Sequence, residues 1–281
     1  MRSLLAYLPT YPTPARPEFT TSIASVAHRL QARVLAMTTE PVFRDSSNWA
    51  LSDLMNSVAN NSLAQARQAA ALLASTLEQA ASAKDIEVVR ETVFGDPTDF
   101  RRAVGSASRV HDLTAIELNK NDPEREVAEA VILGSRRPLL ILPKTLVGVF
   151  SPQRILIAWD GGAASARALT ESLPWLSGAS SIELVSVQED DTGSAMDKCP
   201  KGATTDDAAG YLLRHGVMSP VRVLQRDDKP VDVVLFDYAE KFEADLVVMG
   251  AYGHSRAREF VLGGVTRRAL CDPRLPLLMA H

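Results

Sequence analysis

The stretch Ala244-Asp-Leu-Val-Val-Met249 is followed at once by Gly250-Ala-Tyr-Gly253. A short aliphatic run that stops at glycine reads as a buried strand of a parallel sheet. A related run stands earlier, Val110-His-Asp-Leu-Thr-Ala-Ile116. Asp112 and Asp245 are 133 positions apart (245 − 112), and so are Pro97 and Pro230 (230 − 97), each of which opens an amphipathic stretch before its strand. Two independent landmarks with one offset identify an internal repeat. The outer ends repeat as well. Arg2-Ser-Leu-Leu-Ala-Tyr7 has a counterpart in Arg154-Ile-Leu-Ile-Ala-Trp159, and Arg137-Pro-Leu-Leu-Ile-Leu142 in Leu275-Pro-Leu-Leu-Met279.

Between these landmarks strands alternate with helices. In the first half the pattern predicts strands over 2–8, 32–38, 86–93, 112–117 and 138–142, with helices over 17–30, 54–83, 97–107 and 123–134. Leu63, Ala66, Ala70, Leu73 and Leu77 recur at three- and four-residue steps along one face of the long helix. In the second half it predicts strands over 154–159, 181–187, 220–225, 245–250 and 276–280, with helices over 163–176, 203–216, 230–242 and 263–271. Such alternation implies right-handed βαβ units. The expected architecture is α/β: two tandem doubly wound domains, 1–146 and 152–281, each with a mainly parallel five-stranded sheet. The short link near Pro143–Ser151 implies that the halves pack closely.

Composition narrows the classes of function. The chain has 281 residues, 46% hydrophobic and 23% charged, enough apolar matter for full cores. Thirty basic and 34 acidic residues leave a net charge of −4, and no basic run offers a stripe for nucleic acid. Cys199 and Cys271 form no CxxC and are expected as reduced thiols. The opening MRSLLAYLPTYPTP is broken by Pro9, Pro12 and Pro14 and reads as a first strand rather than a signal sequence. No run of about 18 apolar residues is present, so a cytoplasmic protein without a membrane span is expected. His28, His111, His215, His254 and His281 lack zinc-ligand spacing, and no metal site is expected.

Ligands of open parallel sheets bind beyond the carboxyl ends of strands, where the strand order reverses. Gly250 and Gly253 follow a strand there, and Gly263-Gly264-Val265-Thr266 opens a helix nine residues on. Bare glycines let main-chain N–H groups approach an anion, and the helix dipole favours negative charge. The Thr266 hydroxyl and Arg256, Arg258 and Arg267 add donors and charge. Glycines at a strand end also serve plain tight turns. Asp160, in Asp160-Gly-Gly-Ala-Ala-Ser165 after the strand 154–159, can accept hydrogen bonds from a ribose or an amino group; it equally suits a turn or helix N-cap.

The spacing Gly-x2-Gly-x9-Gly over Gly250, Gly253 and Gly263, with the aspartate-glycine pair at Asp160, resembles the nucleotide-binding signature of the universal stress protein family. The likeness covers nearly the whole chain as two copies on the adenine nucleotide alpha hydrolase-like fold, with specific motifs in the second copy alone. It implies that ATP or another adenine nucleotide, with Mg as a companion ion, is held by Asp160, Gly250, Gly253, Gly263, Gly264, Val265 and Thr266. A strand backbone near Val187 would flank the adenine, a match of position only. The resemblance further implies a role in stress response or signalling, pairing of the two domains within one chain, room for a homodimer, and an unidentified protein partner.

Departures from the family pattern matter. Gly264 stands where serine or threonine is usual, and one hydrogen bond to a charged group is worth about 1.5–3 kcal/mol. In the first copy Glu117 replaces Gly250, the glycines are missing, and Leu8-Pro9 replaces the aspartate-glycine pair. That half is expected to bind no nucleotide and to serve as a structural partner. The alternative is a nucleotide-free interaction module on the same fold. Gly253-His-Ser255-Arg-Ala257 resembles a hydrolase elbow, but the strand ends near Gly250 and the helix begins near Gly263, so a strand-to-helix nucleophile is not expected. No GxxxxGK[ST] or GxGxxG is present, and no general base is evident, so at most slow ATP hydrolysis is expected.

Overall fold

The computed structural model describes residues 2–43, 52–188, 203–252 and 264–281, with the side chains of 52–56 excepted. These fold as two compact units. The first comprises Met1–Glu117, Glu126–Arg137 and Lys144–Ser151, and the second Leu118–Arg125, Pro138–Pro143 and Pro152–His281.

Unit 1 is built from β1 (Arg2–Leu8), α1 (Pro17–Leu30), β2 (Ala32–Pro41), α2 (Ser52–Ser82), β3 (Val88–Gly95), α3 (Pro97–Ala107), β4 (Leu113–Leu118) and α4 (Arg125–Ser135). Its strands run in the order β3-β2-β1-β4, all parallel. β1 and β4 are buried along nearly their whole length, as a sheet covered by helices on both faces requires. Leu4, Leu5, Ile23, Val26, Leu73, Leu77 and Ile116 fill the core. Asp96 caps α3 through a reciprocal box with Asp99, and Pro97 takes the first helical position. Gly95 is obligatory before it. Its φ is +150°, and a Cβ there would fall 2.5 Å from the Asp99 carboxylate.

Unit 2 follows with β5 (Leu139–Pro143), β6 (Arg154–Ala158), α5 (Ala163–Leu176), β7 (Ser181–Gln188), α6 (Thr205–Arg214), β8 (Val221–Gln225), α7 (Val231–Lys241), β9 (Leu246–Gly250), α8 (Gly264–Cys271) and β10 (Leu277–Ala280). Its strand order is β5-β10-β9-β6-β7-β8. All neighbours are parallel except β5 and β10, which run antiparallel with Leu140 opposite Leu278. Of the five strands expected for the first half, four make the sheet of unit 1 and the fifth lies in unit 2. The mainly parallel α/β fold expected from the alternation is the one observed.

The repeated aspartates have the same structural task. Asp112 accepts hydrogen bonds from the N–H and hydroxyl of Ser3 at 2.8 and 3.0 Å. Asp245 accepts from the N–H groups of Gln153 and Arg154, both at 2.8 Å. Each ties the amino end of a strand, β1 or β6, to the strand beside it, β4 or β9, and so lies at the end of the sheet away from the crevice described below.

Candidate functional site

In unit 2 the chain passes from β6 outward to β7 and β8 on one side, and β9 and β10 lie on the other. The crevice between the carboxyl ends of β6 and β9 is therefore a topological switch point. Ile157 and Val248 are the last partners in that pair of strands. Asp160 and Gly250 lie just beyond them on facing rims. Ala158 pairs with Val185 on the other flank, which brings Val187 level with Asp160.

Asp160 is fixed by its own turn. Its Oδ1 accepts a hydrogen bond from the Gly162 N–H at 2.8 Å and another from the Ser165 hydroxyl at 2.6 Å. Gly161 has φ +76°, and Gly162 is the N-cap of α5. The turn and cap reading of Asp160 is the one these bonds show, and they fix its carboxylate just beyond the end of β6. Flanking residues clasp the start of α6. The Trp159 indole N–H donates to the Ala203 carbonyl at 3.0 Å, and the Ala203 N–H donates to the Gly161 carbonyl at 3.3 Å. Thr204 then caps α6 in a reciprocal box with Asp207, whose carboxyl is held below the usual range by hydrogen bonds from the Thr204 hydroxyl and N–H.

Gly250 is where β9 and α5 touch. A Cβ there would lie 2.5 Å from the Ser165 nitrogen and 2.7 Å from the Ala164 carbonyl carbon, both main-chain atoms. Glycine is needed for the amino end of α5 to approach the crevice this closely. Two residues on, Tyr252 adopts φ +60°, and its N–H donates to the Thr266 hydroxyl at 3.2 Å. Thr266 is 3% exposed, so this bond stitches the exit of β9 to the first turn of α8. Gly264 is exposed at that helix start and Val265 is half-buried. His281 closes the side next to β10. Its Nδ1 lies 2.9 Å from the Ala251 carbonyl, which can only accept, so Nδ1 carries the proton. The His281 ring meets Tyr252 edge-on at 5.9 Å.

Asp160, Val187 and Gly250 thus lie at the carboxyl ends of β6, β7 and β9, and Thr266, in the first turn of α8 with Gly264 and Val265, is bonded to Tyr252 just past β9. Gly253 and Gly263 lie outside the described residues, as do His254, Ser255, Arg256, Arg258 and Cys199. Sequence reasoning missed Ser165, Trp159, Ala203 and Asp232. The serine five residues after Asp160 had a readable signal, a hydroxyl in the first turn of a helix. Trp159 and Ala203 had none, since their bond joins distant segments. Asp232, on α7, points toward the start of α8. Its Oδ2 lies 3.7 Å from Arg268, and the Arg268 guanidinium sits 6.0 Å from the Phe236 ring centroid. Among the described residues no cluster of three or more His, Cys, Asp or Glu could hold a metal.

Unit 1 treats the corresponding place differently. Its switch point lies between β1 and β4, and Glu117, at the end of β4, has a side chain only 1% exposed. Arg16 approaches with Nε at 2.9 Å and an Nη at 2.7 Å from Oε1, and its N–H donates to Oε2 at 3.1 Å. The same guanidinium donates to the Leu146 carbonyl at 2.9 Å. In the sequence Glu117 is the carboxylate that stands, by the 133-residue offset, in the place of Gly250. The structure shows a buried carboxylate matched to a cation, where unit 2 has a glycine pressed against the main chain of α5.

Residues 152–281 match the universal stress protein family model. A universal stress protein of Synechocystis sp. is 27% identical over 150 residues, 53% of this chain. That match spans about half (49%) of the relative's length. Among solved structures, a universal stress protein from Archaeoglobus fulgidus superposes with a TM-score of 0.66 at 16% identity, covering 98% of this chain and 97% of the other. A putative universal stress protein from Pseudomonas aeruginosa gives 0.62 at 14% identity, covering 99% and 92%. At such identities these structures establish the fold. No described helix is long and apolar enough to cross a membrane.

Proposed function

We propose that this chain, whose residues 152–281 form a universal stress protein family domain, binds an adenine nucleotide in the β6–β9 crevice and acts through a protein partner in a cytoplasmic stress or signalling response. The observation that carries this reading is the Thr266–Tyr252 bond, which sets the bare amino end of α8 beside the exit of β9. Main-chain N–H groups at Gly264, Val265 and Thr266 would meet the phosphates, with the helix dipole behind them. Asp160, already oriented by Gly162 and Ser165, would grip the ribose or the adenine amino group. The backbone near Val187 would flank the base, and Gly253 and Gly263 would complete the phosphate loop. Mg would accompany ATP through the phosphates. No described side chain in the crevice is placed as a general base, so the ligand is held rather than rapidly turned over. Residues 1–146 and 152–281 are read as tandem copies, the first without a nucleotide and serving as the structural partner of the second; whole chains would pair further as homodimers.

One observation favours the alternative, an interaction module without nucleotide. Gly264 lacks the usual hydroxyl although no described atom comes nearer than 3.8 Å to a built Cβ. Calorimetric titration with ATP and AMP separates the two readings, because the alternative gives no binding at millimolar ligand. Gly264→Glu should abolish binding by adding charge at the phosphate position. Glu117→Ala should cost about 3 kcal/mol by orphaning a partly buried arginine, yet leave nucleotide affinity unchanged. Intact affinity in Gly264→Glu would sink the site.

A further inference from the structure

Resting on the reading of the crevice as an adenine-nucleotide site, we infer that Asp232 sets how much negative charge the site accepts, and that its preferred ligand is an adenine nucleotide of low charge, a monophosphate, rather than a free triphosphate.

Asp232 is the second residue of α7, the helix packed against α8. Among the described residues, a Cβ built on Gly264 meets Asp232 Oδ1 at 3.8 Å. The position normally given to a phosphate-binding hydroxyl therefore carries no side chain and looks onto a carboxylate. That carboxylate makes one loose ion pair among the described residues. Arg268 stands 3.7 Å from Oδ2, beyond ordinary hydrogen-bond length, and also lies over the Phe236 ring. Asp232 belongs to the first turn of α7, and its Oδ1 faces the start of α8, whose field a ligand phosphate would use. Like charges a few ångströms apart disfavour each other, and each added phosphate enlarges that penalty. The separation is well inside the Debye length of about 8 Å at physiological salt, so solvent ions do not erase it.

The plain structural role of Asp232 is that of a first-turn acid on α7, paired with Arg268. Such a role changes thermal stability but does not depend on ligand charge. The ratio of AMP to ATP affinity separates the two roles.

The test is calorimetry on the full chain, wild type against Asp232→Asn, with AMP and ATP, each with and without Mg2+, at low and high salt. Wild type should bind AMP at least as tightly as Mg-free ATP. Asp232→Asn should tighten Mg-free ATP on the order of tenfold and AMP by about twofold, with the gain shrinking at high salt. Asp232→Glu should restore the wild-type ratio. An unchanged ratio in Asp232→Asn, with a lowered melting temperature, overturns the inference and leaves a structural acid. Weaker Mg-ATP binding in Asp232→Asn would make Asp232 a metal ligand and also overturn it. If neither protein binds any adenine nucleotide, the site reading fails and the inference falls with it.

Discussion

Gly250 and Gly264 belong to one motif but have different physical reasons for being glycine. At Gly250 the obstacle is backbone, since Ser165 N and Ala164 C stand 2.5 and 2.7 Å from a Cβ. Gly250→Ala should therefore push α5 away from β9 and lower stability by about 1–3 kcal/mol in a denaturation measurement. At Gly264 no described atom comes nearer than 3.8 Å, and Gly264→Ala should change stability by no more than about 0.5 kcal/mol. The motif was legible in the sequence; this division of labour was not, because it depends on which helix approaches which strand end. Glu117 teaches the same lesson. Its identity could be read by offset, but its partner Arg16 lies 101 positions away, and neither periodicity nor spacing joins the two. Away from the crevice, Tyr238 donates to Glu183 at 2.6 Å, and Arg222 pairs with that carboxylate at 2.8 Å. Burial first, then this hydrogen bond and the carboxylate's charge, push Tyr238 from 10.0 up to about 12. The folded state holds that proton more tightly, so the contribution to stability is complete below pH 10 and is lost as pH rises toward about 12. Tyr238→Phe should remove a component near pH 12 from the tyrosinate absorbance titration.

At the scale of elements the sequence was most informative where a helix has both a period and a boundary signal. Helices 17–30, 97–107 and 163–176 were expected and are found at those limits. Pro17, the Asp96-Pro97 pair and Gly162 mark their starts with residues whose backbone chemistry is local. Strand ends shifted by up to three residues, as at β2, which runs on to Pro41, because pairing with a neighbour decides where a strand stops. α6 is shorter than expected, Thr205–Arg214. Thr204 caps it, and Ala203 is held against β6 rather than wound into the helix. Thr204→Ala should destabilise by about 1 kcal/mol through loss of the cap. By loosening the segment that Trp159 holds, it should also raise amide exchange at the start of α6. A variant with wild-type exchange there would show that the cap and the clasp act independently.

At the scale of the molecule, alternation and the 133-residue offset sufficed for an α/β protein of two repeats with mainly parallel sheets. They could not show that the last strand of the first repeat runs antiparallel along the last strand of the second. Apolar runs such as Leu139–Leu142 and Leu277–Met279 are symmetric in composition and carry no sign of direction. In unit 2, Leu139, Leu140 and Ile141 face Met279, Leu278 and Leu277 in that order, all buried. Leu278→Ala should cost about 2–5 kcal/mol. Hydrogen exchange should then show protection falling together over 139–143 and 246–250. Loss confined to the latter would mean that β5 is anchored by something other than β10.

The crossing of that strand has a practical bearing on how the chain may be cut. A gene divided at the junction the repeat suggests, near residue 146, would leave the downstream product with β10 as a raw, sticky border. A downstream fragment meant to stay in solution on its own should therefore begin ahead of Pro138 and carry its borrowed ribbon with it.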